Sequence, residues 1–234
     1  METKVVMVTG AAGNLGSAVA GHLASLGLKL VCVERNPQSL DRLAADLPAG
    51  AEVLKVPGID LGDFDACRRA VEAAIDRFGR IDALVNTVGG FKMGPVDEAG
   101  LAQWDALLAM NARTAYAISA AVLPAMRKAG YGRIVHVAAA PGLKAGARQA
   151  AYAASKAAVI RLTEAIAAED RAHGISANCI LPGTIDTPQN RAAMPGADTG
   201  GWVQPSAITR LVAFLISAEA GIVTGGAIPA TGPG

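Results

Sequence analysis

Hydrophobic positions along the chain follow two rhythms that take turns. Short runs of consecutive aliphatic and β-branched residues, at 5–8, 28–34, 53–56, 83–86, 133–138 and 176–181, with a terminal run at 226–230, read as strands buried on both faces. Between them, apolar residues recur three and four apart at 14–26, 39–46, 63–78, 101–126, 149–173 and 206–217, the spacing of one helix face. Within 63–78 the stripe Phe64, Cys67, Val71, Ile75 and Phe78 is expected to lie in the core. Regular alternation predicts an α/β fold: a doubly wound parallel sheet of about seven strands with helices on both faces. No repeat, linker or low-complexity tract interrupts it, so residues 1–234 are read as a single domain. The one long irregular stretch, 182–205, is rich in glycine and proline, and a loop of that length in a compact domain is usually functional.

Composition narrows the setting. With 234 residues, 52% of them hydrophobic, there is enough apolar material for one continuous core. A net charge of +1 with scattered Lys and Arg gives no basic stripe, which argues against a nucleic-acid partner. Cys32, Cys67 and Cys179 lie far apart and lack metal-ligand spacing, so they read as buried thiols of a reducing, cytoplasmic compartment, and no metal site is expected. The longest uncharged run, 5–28, contains five glycines and several polar residues and fails as a membrane span or a signal peptide.

Chemistry enters at the strand ends. The turn Thr9-Gly10-Ala11-Ala12-Gly13-Asn14-Leu15-Gly16 stands between the first strand and the first helix. There Gly10 suits the tight turn, Gly13 the approach of a pyrophosphate, and Gly16 the packing of helix on strand, which points to dinucleotide binding in a Rossmann-type domain. Glu34, 18 residues past Gly16, is placed to accept the ribose hydroxyls of NAD and repel a 2′-phosphate; Arg35 beside it leaves NADP open. Asp60, with Leu61, follows the third strand and reads either as a partner of the adenine amino group or as a helix cap. Asn86-Thr87-Val88-Gly89-Gly90 closes the fourth strand with small residues that let the backbone lie against a cofactor. Asn111 falls in the middle of a helix, where a buried amide needs partners. Tyr152 and Lys156, four apart in an alanine-rich run, share one helix face, and an ammonium beside a phenol is expected to lower the phenol pKa. His136 is expected to be packed or hydrogen-bonded with its side chain on the face opposite to Ala139, and His22 and His173 to lie on the surface.

Together these residues resemble the short-chain dehydrogenase/reductase family over essentially the whole chain. The resemblance implies that Tyr152 donates or accepts a proton, that Lys156 binds the nicotinamide ribose, and that Asn111 holds a water linking Lys156 to solvent. It implies cofactor contacts from Gly10, Gly13, Asn14, Leu15, Gly16, Glu34, Arg35, Asp60, Leu61, Asn86, Val88 and Gly89, and, after the sixth strand, from Pro182, Gly183, Ile185 and Thr187. It also implies a homodimer or homotetramer acting on a small molecule. Two positions depart from the family pattern: the usual serine, 13 residues before the tyrosine, is Ala139, and the usual middle glycine is Asn14. Both departures, with Phe91 and a loop carrying Met194 and Trp202, resemble the dihydropteridine reductase branch, which implies NADH and a quinonoid dihydropterin substrate. Ala139 and Phe91 are then expected at the substrate, and Met194 and Trp202 either pack the loop or wall the same pocket. A ketoreductase or alcohol dehydrogenase without the serine, and a nucleotide sensor without turnover, are the alternatives.

Overall fold

The computed structural model describes residues 3–232. In chain order its main elements are β1 (Val5–Thr9), α1 (Asn14–Ser25), β2 (Lys29–Glu34), α2 (Pro37–Asp46), β3 (Val53–Pro57), α3 (Phe64–Phe78), β4 (Ala83–Asn86), α4 (Val96–Leu107), α5 (Thr114–Ala129), β5 (Gly132–Val137), α6 (Ala150–Asp170), β6 (Ile175–Pro182), α7 (Pro188–Ala193), α8 (Pro205–Leu215) and β7 (Ala227–Ala230). The seven strands form one sheet in the order β3-β2-β1-β4-β5-β6-β7, with every pair parallel.

Successive side chains of a strand point to opposite faces, so an all-apolar strand feeds two cores. Val5, Met7, Val31, Val33, Leu84 and Ile134 pack with α3, α5 and α6, while Val6, Val8, Leu30, Cys32, Val85 and Val135 pack with α1, α2 and α8. Each large aliphatic side chain removed from water in this way contributes roughly 1.5–3 kcal/mol. The three cysteines are buried and free, and burial pushes their thiols up, to about 12 for Cys32 and about 11 for Cys67 and Cys179. Two glycines permit the first turn: Gly10 has φ +64°, and a Cβ at Gly16 would stand 2.0 Å from the Gly10 carbonyl oxygen. At the far end of the α5–α6 pair, the buried Asp170 carboxylate accepts from Arg127 Nε at 2.5 Å and Nη2 at 3.0 Å, fixing α6 against α5.

Several expectations need correcting. Phe64 opens α3 and is 46% exposed, so the core stripe begins at Cys67. The cap of α3 is Asp63, whose carboxylate accepts from Asp65 N, and this removes the cap reading of Asp60. The helix expected from 101 starts at Val96, kinks at Gly100, and passes through a π-helical turn at Leu108–Arg113 before α5. By length and composition the stretch Val96–Ala129 could cross a membrane, but 56% of its apolar window is buried inside the fold, as in a core helix. The 182–205 loop contains α7 and a single bridge between Ile185 and Val203. His22 is half-buried rather than exposed, whereas His173 lies on the surface.

Beneath the carboxyl ends of the central strands runs a buried polar chain. Thr9 Oγ1 donates to Asn86 Oδ1 at 2.6 Å, Asn86 Nδ2 lies 3.4 Å from His136 Nδ1, and His136 Nε2 lies 3.1 Å from Ser119 Oγ. Ser119 commits its proton to the Ala115 carbonyl at 2.7 Å, so the imidazole accepts at Nδ1 and donates from Nε2. His136 has no exposed surface, and burial, reinforced by the charge of Lys156, lowers its pKa to about 4. Folding therefore favours the neutral ring: its stabilisation is complete above the ordinary histidine value and is lost as pH falls from about 6.5 toward 4. The swing is on the order of 3 kcal/mol. Thermal melts between pH 7 and pH 4.5 should show a steeper loss of Tm in wild type than in His136→Asn, which has nothing to titrate there. Parallel pH profiles would mean that His136 is not held neutral by the fold.

Candidate active site

In an open parallel sheet, ligands bind beyond the carboxyl ends of the strands where the order reverses. Here that point lies between β1 and β4, and a cleft of about 640 Å³ opens there. Its walls include Gly10 after β1, Glu34 and Arg35 at the end of β2, Asp60 and Leu61 after β3, and Val88 and Gly89 after β4. Seven residues expected at a cofactor thus line one cleft. The Glu34 carboxylate accepts from Ala12 N at 3.3 Å and Arg35 N at 2.7 Å, which holds the acid between the glycine turn and the cleft. Asp60 accepts from Gly62 N at 2.9 Å in a short side-chain turn.

Other expected residues lie outside that lining. Gly13, Asn14, Leu15 and Gly16 form the turn and the start of α1, with the Leu15 side chain in the core. Asn14 Nδ2 donates to Gln189 Oε1 at 2.9 Å, joining the glycine turn to α7. Asn86 is fully committed to the buried chain. Pro182 ends β6, Gly183 follows it, Ile185 makes the bridge to Val203, and Thr187 caps α7 by accepting from Asn190 N at 3.2 Å. The cleft also includes Ile59, Ala106, Ala109, Met110, Arg113 and Thr114, which the sequence reading missed. The π-helical turn delivers the middle of this group, and apolar periodicity carries no signal for such a turn. Arg113 Nε donates to the Gly62 carbonyl at 2.8 Å, closing the cleft wall across from Glu34's strand.

Asn111 sits inside the π-helical turn, fully buried and fully partnered. Its Oδ1 accepts from Gly90 N at 2.8 Å, and its Nδ2 donates to Gly90 O at 3.0 Å and to Ser155 Oγ at 2.9 Å. Ser155 in turn donates to the Tyr152 carbonyl at 2.7 Å, so Asn111 braces the first turn of α6. A Cβ on Gly89 would lie 2.8 Å from Asn111 Oδ1 and 2.9 Å from Lys156 Nζ, which shows how closely the three residues converge. Lys156 donates to the Val137 carbonyl at 2.9 Å and is 5% exposed. Burial lowers its pKa to about 8.

The expected effect on the phenol is reversed. Burial raises the Tyr152 pKa above its ordinary value, because the ammonium lies 6.0 Å from the ring centroid and is turned to the Val137 carbonyl, leaving desolvation to dominate. At neutral pH the phenol therefore holds its proton. Phe91 packs edge-on against it at 4.8 Å between centroids. Ala139 is buried just beyond β5 and brings no hydroxyl, and its neighbours Ala138 and Ala140 bring none. Met194 is 41% exposed and Trp202 half-buried, and neither makes a ring contact with Tyr152. One strained backbone borders the site: Arg148 has φ +64° and its carbonyl accepts from Gly94 N at 2.9 Å. A left-handed conformation costs a side chain roughly 1–2 kcal/mol.

The buried lysine has a measurable consequence. Its depressed pKa means that the charged form costs stability at neutral pH, a cost relieved as pH rises from about 8 toward 10.5. Lys156→Met should therefore be more stable than wild type by on the order of 1–3 kcal/mol at pH 7, with the gap closing by pH 10. Denaturant titrations at the two pH values check this, and a destabilised variant at pH 7 would show that the Val137 bond outweighs desolvation.

Comparison with known proteins fits this geometry. The chain is 32% identical over 234 residues to D-threitol dehydrogenase of Mycolicibacterium smegmatis, covering 96% of this chain and 90% of that protein. It is 29% identical over 233 residues to the 3-oxoacyl-[acyl-carrier-protein] reductase of Thermotoga maritima, covering 96% and 95%. Among solved structures, levodione reductase superposes with a TM-score of 0.91 at 30% identity, covering 99% of this chain and 98% of that one. An actinorhodin polyketide ketoreductase with NADPH gives 0.89 at 28%, covering 98% and 96%. None of these four is a dihydropteridine reductase, so the finer likeness drawn from Ala139 and Asn14 has no counterpart among them. The family described as short chain dehydrogenase matches residues 4–197, and the chain belongs to it.

Proposed function

We propose that the protein is an NADH-preferring reductase in which Tyr152 donates the proton to the substrate oxygen. The bound nicotinamide would supply the hydride. The carrying observation is that Lys156 and Asn111 converge on Gly89 in the wall of the cleft, with the Lys156 ammonium 6.0 Å from the Tyr152 ring centroid. The site fits a dinucleotide: the Gly10–Gly16 contact leaves no room for a side chain, and the cleft runs along the carboxyl ends of β1 to β4. Within it Lys156 would hold the nicotinamide ribose, Glu34 the adenosine ribose, and Ile185 and Thr187 the carboxamide and phosphates. The raised Tyr152 pKa supports donation, since a group that keeps its proton at neutral pH can give it to a developing alkoxide or enolate. A cytoplasmic location is supported by three free buried thiols, and a homo-oligomer by Val96, Leu101, Trp104 and Tyr116, which stay exposed on the α4–α5 stretch.

For the acceptor we favour a small conjugated one, such as quinonoid dihydropterin. The support is Ala139. A serine at that place would polarise the substrate oxygen, and losing one such donor costs roughly 10²–10³ in rate. A quinonoid ring needs that help less, because the charge that grows on it is delocalised. The second reading, a ketone reductase or alcohol dehydrogenase, is favoured by the names of the relatives.

Steady-state assays with a quinonoid dihydropterin, a quinone and simple ketones separate the two. Tyr152→Phe should lower turnover by roughly 10²–10⁴ with cofactor affinity kept, and Ala139→Ser should raise ketone reduction while helping the conjugated acceptor little. Efficient ketone reduction by wild type would favour the second reading. Turnover that survives in Tyr152→Phe would remove the tyrosine from the chemistry.

Cofactor choice is a separate test. NADH should bind more tightly than NADPH, and Glu34→Ala should narrow the difference, by fluorescence titration. Equal affinities in wild type would assign the choice to Arg35, which shares the cleft.

A further inference from the structure

We infer that Arg148, with Lys92 and Lys144 on the two segments that its backbone bond to Gly94 joins, selects substrates that carry an anionic group away from the reacting carbon. This rests on the reading of Tyr152 as proton donor and names the substrate class of the same site. Arg148 is the one non-glycine residue with positive φ among the described residues. Glycine meets that backbone requirement at no steric cost, so keeping an arginine there points to a use for its side chain. The guanidinium is exposed and has no ion-pair or hydrogen-bond partner among the described residues, and the same holds for the ammonium groups of Lys92 and Lys144.

Placement relates these charges to the chemistry. Arg148 stands just before α6, whose first turn carries Tyr152. The bond from Gly94 N to the Arg148 carbonyl joins the segment before α6 to the segment 91–95, which delivers Phe91 to the Tyr152 ring and carries Lys92. Segments 91–95 and 139–149 carry three cations and no carboxylate, and the exposed Asp97 and Glu98 follow in the first turn of α4. Phe91, Met93 and Leu143 are exposed in the same two segments. The surface suits a molecule with an apolar body and a carboxylate, or a sulfonate or phosphate, which share the geometry that an arginine fork recognises.

The test uses Arg148→Gly, which suits the left-handed backbone and leaves the residues at the reacting atoms in place, so its Tm should equal or exceed that of wild type. Binding is read by fluorescence titration of 8-anilinonaphthalene-1-sulfonate and its neutral parent N-phenyl-1-naphthylamine. Wild type should bind the sulfonate more tightly than Arg148→Gly does, by roughly 5-fold at low salt and less at high salt, with the neutral dye unaffected. Selectivity is read from kcat/KM for 4-oxopentanoate against its methyl ester, and the ratio should fall by a similar factor in the variant. A sulfonate Kd unchanged by Arg148→Gly, or equal affinity of wild type for both dyes, overturns the proposal. Tyr152→Phe separates the two levels: it should lose turnover but keep the sulfonate Kd, so failure of the proton-donor reading shows in that variant alone.

Discussion

A parallel sheet buried on both faces leaves its polar chemistry only one place to go. All seven strands pair in parallel, and the central ones present apolar side chains to helices above and below, so functional groups collect where the strands stop. The carboxyl ends of β1 to β4 open into one cleft, and the reversal of strand order between β1 and β4 keeps the two crossover directions from covering it. Gly10, Gly16 and Gly89 then act as clearances: a Cβ would collide with the Val88 side chain at Gly10, with the Gly10 carbonyl at Gly16, and with the Asn111 amide and Lys156 ammonium at Gly89.

Burial also sets the protonation of the site. Lys156 is drawn down to about 8, His136 to about 4, and the Tyr152 phenol is pushed up, all chiefly by desolvation. A pair expected to stabilise a phenolate instead presents a protonated tyrosine near a lysine that is still largely charged at neutral pH. The fold tolerates this because polar neighbours take up the remaining donors and acceptors: Val137 O on Lys156, Ser119 and Asn86 on His136, and Gly90 and Ser155 on Asn111. The cost appears as stability withheld at the functional residues, a common trade between activity and stability.

Legibility in the sequence followed the strength of the local rule. Strands and most helices could be read because continuous apolar runs and helical periods have no other outlet in a chain of this composition. Gly10 and Glu34 could be placed on the cleft because each sits at a strand end, and Tyr152 and Lys156 on one helix because they lie four apart in an alanine-rich run. What could not be read depended on geometry without a period. The π-helical turn shifts register by one residue, so Met110 and Arg113 reached the cleft unannounced. Phe64 looked like core by spacing but lies at the first turn of α3, where the helix has not yet met the sheet. Asp60 stood open between an adenine contact and a helix cap until the backbone placed Asp63 at the cap. The sign of the Tyr152 shift required the Lys156 ammonium to be located, and Arg148 gave no sign of its left-handed backbone.

Whether this geometry carries out hydride transfer can be measured directly. Turnover of an accepted substrate with NADH carrying deuterium at C4, on one face at a time, followed by mass spectrometry of the cofactor, should give NAD+ that has lost the label from one face only, whether the receiving atom is carbon or a nitrogen or oxygen that then exchanges with solvent. Tyr152→Phe should release the same label far more slowly. Substrate reduction that leaves the label in place from either face, or a protein that binds NADH and transfers nothing to any of these acceptors, would contradict the assignment and leave a nucleotide-binding fold without turnover.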